Sequence, residues 1–251
     1  MVLELVDYLQ GSFSLIFTII SLIIGFSILI KYFQYKSRLY ILVGLTWIGV
    51  ATPWFPDSIS FIMNIFFQTS LSIDWYFIIG NVTMPIALLL WLIAYTDMIN
   101  KKNQKVILIL AVFYGIIFEI VFFYLLITDK NQIGIINPLR PFTVEFGIFI
   151  TIFLMIVIVI LLVTGLTFAQ KSVKSEDRDV RLKGKLLRAA FITFTLAAIL
   201  DSLLGTIFEV PTDPLLAIMV VITRILLMIS ALEFYGGFIL PKWMHDIFAK
   251  K

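Results

Sequence analysis

The 251-residue sequence contains no cysteine and a single histidine, His245. The first absence excludes disulfides, thiolate metal sites and cysteine nucleophiles together. The second leaves zinc-dependent seven-helix hydrolysis without the several histidines it needs, and His245 reads as a solvated tail residue. Charge is scarce as well, with Asp, Glu, Lys and Arg making up 14% of the chain against 61% hydrophobic residues. No lysine falls within the apolar runs, so a retinal Schiff base has no amine to form on, arginine being permanently protonated. Nucleotide loops, serine elbows, paired acidic motifs for phosphoryl transfer and the Pro-Gln dipeptide of small sugar transporters are missing too. The first ten residues, MVLELVDYLQ, hold Glu4 and Asp7 but no Lys or Arg, so the basic n-region of a cleaved signal peptide is lacking and the first apolar run reads as a retained span. No enzymatic role, cofactor, metal or nucleic-acid partner is expected.

What the chain does have is apolar runs of about twenty residues, the length that crosses a ~30 Å hydrocarbon core. Seven spans are predicted, at roughly 12–31, 39–66, 74–98, 105–128, 142–170, 186–208 and 214–240, forming one all-α polytopic bundle over 1–251 with no separate soluble domain. In the first, Ser14, Thr18, Ser21 and Gly25 recur at helical spacing and predict an inward face of small residues. The second is interrupted by TPWFPDS, where Pro53 and Pro56 remove two backbone donors. The outcome there is either a kink or an exit followed by a short interfacial helix over SISFIMNIFF. The third contains Asn81, Thr83 and Pro85; its Asn81-Val82-Thr83 sequon lies in an apolar segment that glycosylation cannot reach. The fourth sets Ala111, Gly115 and Glu119 on one face, and the fifth follows a turn-rich loop, DKNQIGIINPLRPF, with Glu145 near its start. The strongly charged stretch QKSVKSEDRDVRLKGKLLR predicts a solvated helical lead-in to the sixth span, capped by Ser175.

Orientation follows from the basic residues. Sixteen of the nineteen fall in alternate connections and the tail on one side, while Lys130 and Arg140 fall on the other and Arg224 inside the seventh span. The positive-inside rule then places the N-terminus outside and the C-terminus in the cytoplasm of a multi-pass cell-membrane protein. Trp54 and Trp75 are expected in the outer interfacial belt and Trp243 in the inner one, with Trp47 and Trp91 deeper.

Glu119, Asp201 and Arg224 are the charges read as lying well inside spans, where a charge costs several kcal/mol unless it is paired or used. At 1.5 Å per residue they lie roughly 14, 10 and 15 Å below the outer helix ends and share one layer. Ala190, Thr193, Ala197, Asp201 and Gly205 line one stripe of the sixth span, and consecutive spans are expected to be neighbours, so Asp201 is expected to pair with Arg224. Two readings stand side by side. The pair is a structural clamp, or, with Glu119 and Asn81, it lines an outward-open cavity that binds a small ligand or relays protons. Two acids against one arginine leave an excess negative charge that a proton or a cation must balance. Glu233 is expected near the inner interface.

At SEDRDVRLKGKLLRAAF and again at GFILPKWM the sequence resembles the seven-helix membrane sensor regions found N-terminal to some prokaryotic histidine kinases. The resemblance implies an input module that detects something outside or within the membrane and moves helices at the cytoplasmic face. In those kinases the last helix leads into signalling domains; here the expectation is a stand-alone copy that acts through a cytoplasmic partner or a second copy of itself. The animal receptor motifs are missing, since the third span ends AYTDMINKK and the seventh has no Asn-Pro-x-x-Tyr. The expected function is a seven-helix sensor or receptor-like protein with its site near Glu119, Asp201, Arg224 and Asn81. The alternatives are a small proton-coupled permease using the same acids and a non-catalytic structural or lipid-binding protein.

Overall fold

A computed structural model describes residues 3–137, 140, 143–207 and 214–248, with the backbone alone at 205–207. Seven helical segments are long and apolar enough to cross a membrane. They are α1 (Leu5–Tyr35); α2 (Arg38–Val50) continued by α3 (Phe55–Phe67); α4 (Ile73–Asn81) continued by α5 (Met84–Met98); α6 (Gln104–Thr128); α7 (Ile148–Val173); α8 (Arg178–Ile207); and α9 (Pro214–Ile239). A short α10 (Lys242–Phe248) follows, and a two-stranded hairpin, β1 (Gly134–Ile136) against β2 (Val144–Phe146), precedes α7. We call the end of the bundle that carries the hairpin the hairpin face, and the opposite end, with α10, the tail face.

The helices close a ring in which α1 lies beside α2, α2 beside α5, α5 beside α6, α7 beside α8, α8 beside α9, and α9 beside α1. Between α6 and α7 the ring closes through aromatic side chains, Phe118 stacking on Phe153 at 3.7 Å and Tyr114 on the same ring at 5.2 Å. The small-residue face of α1 is inward as its spacing demands: Ser14, Thr18, Ser21 and Gly25 are all buried.

Both proline-broken spans kink at one level. A turn of 3₁₀ helix, Thr52–Trp54, joins α2 to α3, and α3 packs on α1, so the chain stays in the bundle; the alternative exit over SISFIMNIFF does not occur. At the two breaks the hydroxyls of Thr52 and Thr83 bond to each other at 2.7 Å, and Thr52 also donates to the carbonyl of Gly49 at 2.7 Å. In an apolar bundle, backbone groups released by a kink need such partners, and these threonines provide one.

Three boundaries differ from the sequence reading. The first helix begins at Leu5 because the buried Asp7 accepts a hydrogen bond from the Glu4 amide at 3.0 Å, so the helix opens seven residues before the apolar run. The fifth begins at Ile148 rather than 142: Val144–Phe146 pairs as a strand, which takes Glu145 out of the helix and opposite Ile135. The charged lead-in to the sixth span is helical, but its cap is Asp177, which accepts from the amides of Asp179 and Val180 at 2.8 and 3.0 Å, while Ser175 accepts from Asp177 at 3.3 Å.

Candidate polar site in the hairpin half of the bundle

Arg224 sits on α9 at the centre of a buried polar layer. Its Nη1 lies 2.5 Å from Asp201 Oδ1 on α8, its Nη2 3.4 Å from Asp57 Oδ2 at the start of α3, and its Nε donates to Ser14 Oγ on α1 at 3.0 Å. One guanidinium therefore ties three helices to a fourth. The long (CH₂)₃ stem lets α9 place the charge at the depth where α8 and the kink in the second span present their acids.

Each carboxylate has further donors. Asp57 receives the Tyr76 hydroxyl on one oxygen and Gln10 Nε2 at 3.1 Å and Ser14 Oγ at 3.5 Å on the other. Asp201 receives Trp54 Nε1 at 2.8 Å. Gln10 extends the layer: its Oε1 accepts from Arg140 at 2.5 Å and from Thr143 at 3.2 Å, and Arg140 Nε lies 3.3 Å from Asp7. Buried charge is tolerated only when paired and hydrogen-bonded; each charged residue of this layer has an opposite charge within 4 Å, but Asp57 and Asp201 share one, Arg224.

A cavity of about 230 Å³ opens beside the layer. Gln10, Asp57, Tyr76, Arg140, Asp201 and Arg224 form its polar wall, and Met84, Leu154, Ile158, Leu161, Phe194 and Val220 much of the apolar one. Among the described residues, the exposed Glu145, Ser202 and Leu203 line it at its hairpin end. Toward the tail face the core narrows to a void of about 20 Å³ between Trp47, Trp91, Phe191, Phe194 and Phe234, room for one water. Below the cavity a continuous aromatic column runs from Trp54 to Phe194, on to Trp47, which stacks on Phe234 at 4.4 Å, and ends at Phe238 and Phe168.

Of the four residues singled out from sequence, the structure brings Asp201 and Arg224 together and separates the other two from them. Asn81 is buried, but its Nδ2 bonds back to the Phe77 carbonyl of its own helix at 2.9 Å and it does not line the cavity. Glu119 is half-buried on α6 with one carboxyl oxygen enclosed and without a hydrogen-bond partner, and it too is outside the cavity. Depth along a helix does not fix azimuth: one turn from Glu119, Gly115 rests on Pro85, so this face of α6 looks at the α4–α5 segment and not at the bundle centre. Trp54, expected at the interface, is only 6% exposed and serves Asp201. Trp75 is 59% exposed near the hairpin face, and Trp47 and Trp91 are buried.

The sequence reading missed Asp57, Tyr76, Gln10, Asp7 and Arg140. Asp57 carries a usable signal, being an acid inside an apolar run, but it stands next to Pro56 and reads as part of a break. Arg140 reads as a loop charge, and Asp7 as part of an N-terminal stretch without basic residues. Among the described residues no group of three His, Cys, Asp or Glu side chains gathers in a metal-binding arrangement. Compared with family models, curated proteins and solved structures, the chain has no match.

Proposed function

We propose that this is a receptor-like seven-helix membrane sensor, taking a compact ligand from the hairpin face into the cavity and passing its occupancy to the tail face. The observation that carries the reading is the cavity beside the Asp201–Arg224 pair, with a polar wall and a larger apolar one, exposed residues at its hairpin end and an aromatic layer beneath it. A ligand that engages Asp201 also acts on Trp54, the head of the aromatic column. The column ends at Phe238 and Phe168, and Phe238 lies two residues from Gly236, where Met244 of α10 and Leu186 of α8 pack. The charged lead-in of α8 and α10 meet at the tail face, His245 lying 3.2 Å from Asp179. By the positive-inside rule this face is cytoplasmic, and the resemblance to kinase sensor regions points to a signalling partner or a second copy there.

A proton-coupled permease would use the same acids, but the void of about 20 Å³ among aromatic rings leaves its route to the tail face without polar side chains on most of its wall. The two readings separate in proteoliposomes. The protein purified from its native membrane is expected to carry a small molecule by native mass spectrometry, to lose it when Ala198, which lines the cavity, is replaced by Phe, and to show no proton flux with an internal pH dye. Flux that the Asp201→Asn variant abolishes would make the protein a transporter.

A further inference from the structure

We infer that the ligand of this cavity is a protonated amine carrying a compact apolar body. The inference rests on the cavity being a ligand site, as proposed above, and adds the ligand's chemistry. Asp57 and Asp201 share the one guanidinium of Arg224, while Arg140 is taken by Asp7 and Gln10, so the layer holds three acids against two arginines. Asp57 accepts on both of its oxygens from Tyr76 and Gln10, whereas Asp201 accepts from Trp54 on one oxygen and on the other has the Arg224 Nη1 charge beside it. One negative charge is therefore left over in a water-poor wall, where an unpaired charge is far more costly than at a surface.

The placement of that charge selects the ligand. The Asp201 side chain is 19% exposed against 7% for Asp57 and 3% for Arg224, so the acid, and not the arginine, faces the open space. Trp54, which donates to Asp201, and Phe194 line the same cavity and bring aromatic rings, which attract cations, to its wall. An anion would meet two carboxylates and a guanidinium whose nitrogens already serve Asp57, Asp201 and Ser14. A neutral molecule would leave the excess charge in place. An ammonium can reach Asp201, and its apolar body then lies against Ile158, Leu161 and Val220.

The test uses three probes of one size and shape, 2-phenylethylamine, 2-phenylethanol and phenylacetate, titrated at pH 7 by calorimetry into the full chain in nanodiscs. The amine is expected to bind at least about tenfold more tightly than either of the others, the margin of roughly 1.4 kcal/mol that one unpaired charge readily commands. Ala198→Phe, which fills the cavity and leaves the charges in place, is expected to abolish binding, and Asp201→Asn to weaken it about tenfold or more. Equal or tighter binding of the alcohol or the acid overturns the amine, and if that binding is lost in Ala198→Phe the cavity remains the ligand site. Amine binding that survives Ala198→Phe, or an absence of binding by all three, overturns the inference as well.

Discussion

Arg224 holds two carboxylates at once, and the two are not equivalent. Asp57 is enclosed by Tyr76, Gln10 and Ser14, whereas Asp201 has Trp54 and the cavity. Removing the arginine leaves both acids buried against each other, so Arg224→Met is expected to lower stability by about 3–5 kcal/mol, read by thermal unfolding in detergent. Asp201→Asn removes the surplus charge and leaves Asp57 to neutralise Arg224, but its single amide oxygen can accept from Trp54 or from Arg224 and not from both; it is expected to cost about 1–3 kcal/mol, less than Arg224→Met. The ordering of the two is what matters: a clamp that exists only for stability would make them equally damaging, and Arg224→Met would then restore an Asp201→Ala protein. Tyr76→Phe withdraws one donor from a buried carboxylate and is expected to cost about 1.5–3 kcal/mol. This residue-level pattern was half legible. The Asp201–Arg224 pairing followed from two charges at one depth on consecutive helices, but Asp57 was masked by the prolines beside it, and Tyr76 and Gln10 give no sequence signal because hydrogen bonding to a carboxylate leaves no periodic trace.

The elements were far more legible than their contacts, because a bilayer-length apolar run admits few other structures. Their ends were read poorly wherever a polar side chain, not hydrophobicity, sets the boundary, as Asp7 does for α1 and Asp177 for α8. The backbone amides of Val180 and Asp179 hold the Asp177 carboxyl below its usual range. A carboxyl whose folded value is depressed stabilises the fold above its unfolded value and loses that contribution as pH falls through the folded one. The start of α8 is therefore expected to fray as pH drops below the ordinary carboxylate range, seen as a loss of protection of the Asp179 and Val180 amides relative to their intrinsic exchange at the same pH, and Asp177→Ala should show the same loss of protection already at neutral pH. The α1–α2 crossing makes a second expectation at this scale. A Cβ on Gly44 would sit 2.8 Å from the carbonyl oxygen of Gly25, a backbone atom with no rotamer to yield. Gly44→Val is expected to destabilise by about 1–3 kcal/mol through forced separation of the two helices. An unchanged melting temperature would mean that α1 and α2 do not approach so closely.

At the scale of the whole molecule, span count and the neighbourhood of consecutive helices could be read in advance, because short connections leave adjacent spans little choice of partner. Azimuth could not be read so well: Glu119 and Arg224 share a layer by depth, yet the face of α6 that carries Gly115, one turn from Glu119, packs on Pro85 of α5 and not on the polar layer. Orientation across the bilayer belongs to this scale too. The hairpin face carries Lys130, paired with Asp74 at 2.5 Å, and Arg140, buried on Asp7, so both of its basic residues are neutralised by acids. At the tail face Arg38 and Lys101 share Asp97, while Lys102 and Lys105 in the same connection add charge that no ion pair within 4 Å offsets. The net positive charge is thus concentrated at the tail face, which the positive-inside rule assigns to the cytoplasm. Because the sequence has no cysteine, single introduced thiols report without background. Asn131→Cys in the α6–hairpin connection is expected to react with a membrane-impermeant maleimide on intact cells, and Lys102→Cys only after permeabilisation, since the two residues lie at opposite ends of α6. The reverse pattern would open the cavity to the cytoplasm and turn an outward-facing sensor into a reader of the cell interior, with the amine then drawn from the cytosol.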